Sequence, residues 1–469
     1  MSFKLNRREF VRRGALATAA APAVLRAVRG AAAPSNRVVL AVMGTNSRGT
    51  ALARGFARLE GAEVAWICDV DERAVAKGAA AVTEACGKAP AGARDVRRVV
   101  AEKELDALVI AAPDHWHAPA GLLAAEAGKH VYVEKPCSHN PREGEMLVEA
   151  SAKHGRIIQM GSQRRSWPRV IEAVEAARSG AIGRVYYGRA WYASDRGSIG
   201  RGQEAPVPGW LDYDLWQGPA PRRLYRDNVV HYNWHWFWHW GTGESGNNGT
   251  HAIDLCRWAL GVDYPMRVTS AGGRYHNFQD DWETPDTQTI TCEFEGGKAI
   301  AWEGLSCNAH GPDGTGYGCS FHGENGTIVI GGGNSYTVYD AKGKEVRKVA
   351  ARAEEEKIDR VGPAANLDSV HFGNFLDAIR GSARPNAPIL EGHRSTLLTQ
   401  LGNIALRTGR VDRDCHRNAR GRGDQGKCAG RRCHPRDRAG RRGEWGGLRC
   451  SRKSAVSAGR TCAALHGDQ

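Results

Sequence analysis

Gly44-Thr45-Asn46-Ser47-Arg48-Gly49 keeps the outer glycines of a G-x-G-x-x-G turn, with Asn46 at the middle position. Between a strand and a helix, such a turn holds a pyrophosphate. Glycine permits the tight path, and the helix N-terminus offers unpaired N–H groups and the positive end of its dipole. Asn tolerates left-handed backbone angles better than most residues, so the turn is expected to survive at Asn46. Asp69 stands twenty residues after Gly49, where a carboxylate can accept hydrogen bonds from adenosine ribose hydroxyls. An acidic residue there repels a 2′-phosphate and favours NAD, while Arg48 could pair with that phosphate and keeps NADP open. Gly44, Asn46, Ser47, Arg48, Gly49 and Asp69 are therefore candidate cofactor contacts, against the plainer reading of an ordinary strand-to-helix loop.

These residues can meet only if the elements around them form a parallel sheet. Residues 37–43 (Arg-Val-Val-Leu-Ala-Val-Met) read as a buried strand ending at Gly44, 50–59 as a helix, and 63–68 as a second strand ending at Asp69. Strands at 107–112 and 130–133 flank a helical pattern at 118–127. This alternation predicts an α/β, doubly wound Rossmann sheet over residues 36–158. After about residue 160 short strand-like segments dominate, at 185–192, 267–271, 287–294, 298–303 and 327–330, separated by Gly, Asp and Asn. With helical patterns at 251–260, 369–379 and 393–407, residues 159–409 read as an α+β domain with a large, mainly antiparallel sheet. From Arg410 to Gln469 periodicity is lost. That stretch reads as a basic irregular tail, disordered or the product of a frameshift.

Bulk properties exclude several function classes. A chain of 469 residues exceeds one ordinary core, and 41% hydrophobic with 25% charged residues is usual for a soluble protein. No run of eighteen apolar residues appears, so stable membrane insertion is not expected. The net charge of +14 looks like a nucleic-acid signal until it is located: the tail carries sixteen Lys or Arg against six Asp or Glu. The body is close to neutral, and no nucleic-acid partner is expected. Asn6-Arg7-Arg8-Glu9-Phe10-Val11-Arg12, a small-residue stretch from Gly14 to Val28 and Ala31-Ala32-Ala33 resemble a twin-arginine signal over residues 1–33, implying a periplasmic or secreted protein. The alternative is a basic helix with paired arginines by accident. The twelve cysteines form no C-x-x-C pair and no metal-ligand spacing, and five of them fall in the tail.

Ala111-Ala112-Pro113-Asp114-His115-Trp116-His117 and Gly128-Lys129-His130-Val131-Tyr132-Val133-Glu134-Lys135-Pro136 together resemble the Gfo/Idh/MocA oxidoreductase family. Gly161-Ser162-Gln163-Arg164-Arg165 and Gly246-Asn247-Asn248-Gly249-Thr250-His251 resemble its secreted, twin-arginine branch. The resemblance runs from about residue 37 to 409. It implies a Rossmann domain followed by an open-sheet domain, with the substrate enclosed between the sheet and the nicotinamide. It further implies Pro113, Asp114, His117 and Glu134 at the cofactor, Gln163 and Arg164 at the substrate, and a homo-oligomer. Lys135 is the implied acid/base. Oxidising a secondary alcohol releases a proton with the hydride, and a lysine whose pKa is lowered by burial can take it. His251 is the second candidate, with Asn247 four residues before it, where many relatives carry Asp. An amide can bond the reacting hydroxyl but cannot take its proton. Asp254 is read either as orienting the imidazole or as packing.

The run His231-Tyr232-Asn233-Trp234-His235-Trp236-Phe237-Trp238-His239-Trp240 has two readings. Its aromatic faces, Trp236 and Trp238 among them, could stack on a sugar, or its alternation could mark a strand buried on one face. Without a matching carboxylate, its histidines are not expected to bind metal. The chain is thus expected to be an NAD(P)-dependent oxidoreductase transferring a hydride to or from a hydroxyl-bearing carbon of a sugar, glycoside or polyol. The alternatives are an NAD-dependent glycosidase acting by transient oxidation and elimination, and a non-catalytic sugar-binding relative.

Overall fold

The computed structural model describes residues 37–351, 365–410 and 412–413. The expected export segment and the tail after Arg413 lie outside the described residues. β1 (Val38–Met43), β2 (Ala62–Cys68), β3 (Ala91–Ala93), β4 (Ala107–Ile110), β5 (His130–Val133) and β6 (Ile158–Met160) form a parallel sheet in the order β3-β2-β1-β4-β5-β6. This is the doubly wound order, whose ligand crevice lies outside the carboxyl ends of the strands, where the order reverses between β1 and β4. Register puts the right residues there. Met43 pairs with Cys68 and with Ile110, and Ile110 pairs with Val133. Gly44, Asp69, Ala111 and Glu134 therefore leave the sheet along one edge.

The helices α1 (Arg48–Ala57), α2 (Glu72–Cys86), α3 (Val96–Val100), α4 (Asp114–Glu126) and α5 (Pro141–His154) are the crossovers. α2 shows how locally such a helix is specified. The Asp71 side chain accepts from the Arg73 N–H at its start, and Gly87 ends it at φ 74°.

After α6 (Pro168–Arg178) the chain enters a ten-stranded mixed sheet. β7 (Val185–Asp195) lies at its centre, parallel to β10 (Lys298–Leu305) and antiparallel to β12 (Tyr317–Gly323), while the short β11 (Cys307–Asn308) pairs with its end. The remaining pairs, including those of β8 (Arg267–Gly273), β9 (Thr287–Phe294) and β13 (Gly326–Ile330), are antiparallel. Burial alternates along β9 and β10, as a sheet covered on one face requires. The cover is α7 (Thr250–Leu260), whose Ile253, Cys256 and Leu260 share a core with Ile300, Trp302 and Phe321. A Cβ at Gly188 on β7 would stand 2.8 Å from Cys256 Cβ, so glycine there lets the helix lie close.

Two features depart from a simple succession of domains. The last helices, α8 (Ala365–Ile379) and α9 (Ile389–Thr408), return to the first sheet. Phe372 of α8 stacks on Phe56 at 4.6 Å, and Ile389 of α9 joins the core of the first sheet. The long connection between β7 and α7 builds a core of its own from Leu211, Tyr213, Trp216, Tyr225, Trp234, Phe237 and Trp240. It crosses to the first domain, where Arg73 lies 3.5 Å over the Trp210 ring and Trp116 Nε1 donates to the Trp216 carbonyl at 3.0 Å. No helix among the described residues is long and apolar enough to cross a membrane.

Candidate active site

Gly44 adopts φ +84°, and a Cβ on it would lie 2.5 Å from the Ala112 nitrogen. A Cβ on Gly49 would lie 1.9 Å from the Gly44 carbonyl oxygen. The turn therefore needs glycine at both ends, one for backbone angle and one for close approach of α1 to the strand. Asn46 does not take the left-handed angles expected of it, since the one non-glycine residue with positive φ among the described residues is Asn277. The turn is closed by other bonds. Asp69 Oδ2 accepts from the Thr45 N–H at 2.6 Å, and Lys77 Nζ donates to the Asn46 carbonyl at 2.5 Å. Ser47, the N-cap of α1, makes no side-chain cap bond, and no acidic residue occupies the first turn. The free N–H groups and uncompensated dipole fit a pyrophosphate.

Asp69 lines the same cleft with its other oxygen accepting from the Asp71 N–H at 3.0 Å. Burial pushes its carboxyl above the ordinary range. Each of its oxygens keeps a lone pair for a ribose hydroxyl. Arg48 is not available for a 2′-phosphate. Its Nε donates to Glu134 at 2.9 Å and its Nη1 to Asp368 at 2.8 Å, so it faces the end of β5 and not Asp69. The geometry favours NAD.

Glu134 is held from three sides: by Arg48, by Gln163 Nε2 at 2.9 Å and by the Lys135 N–H at 3.3 Å. Burial opposes its charge, but Arg48 and Lys135 outweigh it and hold the carboxyl below the usual range. Lys135 Nζ donates to the Asn247 carbonyl at 2.7 Å and to Asn247 Oδ1 at 3.1 Å. Burial holds this amine below the ordinary lysine value, against the pull of Glu134 and Asp114. Asn247 sits on a single π-helical turn, Ser245–Gly249, that leads into α7, a device common at functional sites. His251 follows in the first turn of α7. Burial, reinforced by Lys135, lowers its pKa to about 3, so the imidazole is neutral. Its Nδ1 has no partner among the described residues. Asp254 does not orient it: that carboxylate takes Arg165 at 2.7 and 2.8 Å and Ser395 at 2.6 Å.

Pro113 caps α4 and lines the cleft beside Asp114. Asp114 accepts from Thr242 Oγ1 at 2.6 Å, and burial raises its pKa. His117 bridges the two motifs, with Nδ1 2.6 Å from the Pro136 carbonyl and Nε2 2.7 Å from that of Ala112. Gln163 and Arg164 lie on a 3₁₀ turn, Gln163–Ser166, that faces the cleft.

The aromatic run is not a strand, and the two tryptophans expected at the substrate, Trp236 and Trp238, do not line the cleft. The run forms a 3₁₀ turn at Asn233–Trp236. Trp236 is 1% exposed and stacks on Trp282 at 4.1 Å. Trp238 lies under Arg407 at 4.9 Å. Neither reaches the cleft, because a 3₁₀ turn does not keep the two-residue alternation of a strand. Tyr232, Trp234 and His235 line it instead, with Tyr192 of β7 and Tyr317 of β12. Tyr192 and Tyr317 carry no local motif, and only sheet pairing brings them here. The cleft has a volume of about 560 Å³ and runs without a break from Val70 and Arg94 past the turn to Lys135 and His251.

Comparison with known proteins agrees with this architecture. Residues 38–162 match the family model described as an oxidoreductase family with an NAD-binding Rossmann fold. Residues 214–411 match that of the same family's C-terminal alpha/beta domain, and the two together span more than half of the chain. Inositol 2-dehydrogenase of Rubrobacter xylanophilus is 32% identical over 160 residues, which are 34% of this chain and 44% of that protein. A glycosyl hydrolase family 109 protein of Saccharopolyspora erythraea is 32% identical over 165 residues, 34% of this chain and 35% of that protein. The chain thus spans less than half the length of these two curated relatives. A levoglucosan dehydrogenase, solved in complex with NADH and levoglucosan, shares the fold at 19% identity and a TM-score of 0.62, covering 80% of this chain and 99% of that one. Strand order, phosphate turn and both matched regions lead to one assignment: the chain belongs to the Gfo/Idh/MocA oxidoreductase family, with an NAD-binding Rossmann domain.

Proposed function

We propose that the protein is an NAD-dependent oxidoreductase that oxidises or reduces a hydroxyl-bearing carbon of a sugar or polyol, with Lys135 as acid/base. The observation that carries this reading is the Lys135 amine, half-buried at the cleft and bonded to both oxygens of Asn247. A neutral amine has two N–H bonds and one lone pair. With both N–H bonds spent on Asn247, the lone pair remains for the proton of a hydroxyl in the cleft. When bound, the nicotinamide supplies the hydride acceptor or donor. Glu134, fixed by Arg48 and Gln163, sets the position of the lysine backbone. The neutral imidazole of His251 bonds the reacting hydroxyl and helps orient it, and Asn247 bonds without taking the proton. The curated relative that is an inositol 2-dehydrogenase, and the neighbour solved with levoglucosan, support a polyol or sugar as substrate.

The test begins with protein purified without added cofactor, denatured and assayed for released nucleotide. Lys135→Met should then lower turnover on a sugar and polyol panel by about 10²- to 10⁴-fold while NAD binding persists. Turnover unchanged in that variant overturns the assignment. A second reading, a glycosidase that oxidises transiently, is supported by the family 109 relative. It predicts glycoside cleavage with no net change in NAD, which the same assay reads. We further infer export by the twin-arginine route from Arg7-Arg8 and the small-residue stretch after them. Arg7→Lys with Arg8→Lys should leave the protein in the cytoplasmic fraction, and unaltered export would refute the inference.

A further inference from the structure

Three arginines among the described residues are almost fully buried: Arg164, Arg165 and Arg257, at 5, 5 and 2% exposure. Two have carboxylate partners. Arg165 holds Asp254 at 2.7 Å, and Arg257 holds Glu391. Arg164 pairs with no carboxylate among the described residues. Its Nη2 donates to the carbonyls of Gly331 and Gly333 at 2.5 and 3.2 Å, while Nε and Nη1 are buried without a hydrogen-bond partner. The rings of Trp167 and Tyr317 flank the guanidinium at 5.1 and 5.0 Å. The Tyr317 hydroxyl lies within hydrogen-bonding reach of the guanidinium but is not aligned for a bond to it.

An unpaired guanidinium in a dry site is expensive, because its charge and its donors are both left uncompensated. The surrounding carboxylates cannot relieve it. Glu134 is engaged by Arg48 and Gln163, Asp368 by Arg48, and Asp114 by Thr242. Arg164 also lines the same stretch of cleft as Lys135, His251, Tyr192 and Asn248. The missing anion therefore arrives with the substrate.

We propose that the substrate is a sugar acid, whose carboxylate is held by Arg164 while one of its hydroxyls lies between Lys135 and His251. The proposal rests on the oxidoreductase reading and narrows its substrate class. A carboxylate suits the site better than a phosphate. Its single negative charge balances the single positive charge of Arg164, whereas a phosphate ester brings about −1.5 to −2 near neutral pH.

The test titrates the NADH-loaded protein with D-gluconate and D-glucuronate, their neutral counterparts D-glucitol and D-glucose, and D-glucose 6-phosphate, following NADH fluorescence. The acids should bind about 10- to 100-fold more tightly than the neutral compounds, the range expected for a charged hydrogen bond. Arg164→Gln should abolish that difference while NADH still binds, and Arg164→Lys should keep part of it. Equal binding of acids and neutral sugars, tighter binding of the phosphate, or equal weakening of all ligands in Arg164→Gln overturns the proposal. The last result would make Arg164 a strut for the Gly331–Gly333 turn. Wild-type protein that fails to bind NADH overturns the oxidoreductase reading first, and this proposal with it. NADH binding without acid preference overturns this proposal alone.

Discussion

Asn247→Asp puts a carboxylate where the structure has an amide, and its effect on Lys135 can be worked out. Asn247 Oδ1 lies 3.1 Å from the lysine Nζ. At an effective dielectric constant of about 20, opposite unit charges at that distance attract by ~5 kcal/mol, enough to raise a pKa by about four. Part of this is lost in desolvating the new carboxylate and in its repulsion by Glu244, whose Oε1 is 3.4 Å from the present amide nitrogen. A net rise of about one to three in the Lys135 pKa is expected. In the oxidation direction the neutral amine is the active form, so the acid limb of kcat/KM against pH should move up by that amount. At a fixed pH below the limb, activity should fall about tenfold for every pH unit that the limb moves. A substrate-independent check uses protein labelled with ¹³C-lysine, following the Lys135 Cε resonance through a pH titration and assigning it with Lys135→Met. A limb and a resonance that stay put, or move down, would show that the Lys135–Asn247 contact does not govern the proton step.

Other perturbations follow from the same geometry. Gly49→Ala forces a Cβ to within 1.9 Å of the Gly44 carbonyl, so α1 must move. A loss of at least ~2 kcal/mol and a weakening of NAD binding by about 100-fold or more are expected, and wild-type NAD affinity by titration would count against the turn as drawn. Phe372→Ala removes a 2% exposed ring stacked on Phe56 and should cost ~3–5 kcal/mol in urea denaturation; a cost under ~1 kcal/mol would mean that α8 is not docked there. His115 is neutral in the fold because burial lowers its pKa to about 3. Its native value is thus depressed below 6.5, and the stability it contributes is complete above that pH and is lost as pH falls. Between about pH 7 and 5.5 the wild type should lose ~1.2 kcal/mol more than His115→Gln, and equal losses would show that the ring is already charged or exposed.

Much of the first domain was legible locally. β1, β4 and β5 are short apolar runs covered on both faces, so they could be read without knowing their neighbours. β1 and β5 end within a residue of where that pattern ends. β3 and β6, three residues each, carry too little pattern to be seen. Asn46 shows the limit of motif reasoning: the left-handed angle the motif suggested was unnecessary, because bonds from Asp69 and Lys77 hold the turn. The tryptophan run shows another. Alternation by two fits a strand, but the partner that decides the outcome, Trp282, lies far along the chain.

By itself, then, the sequence determined the phosphate turn, the strand that delivers Glu134 and Lys135, and the alternation of the second sheet. These are set by backbone angles and by burial within a few residues. The partners of the charges were decided only by tertiary structure. Lys135 meets Asn247 across 112 positions, and Arg48 meets Asp368 across 320. Arg164 and Arg165 are neighbours of one residue type, yet Arg165 is neutralised by Asp254 and Arg164 has no carboxylate partner among the described residues. A charge is stabilised by what lies within a few ångströms in a medium of low dielectric constant, and that neighbourhood exists only once the chain has folded.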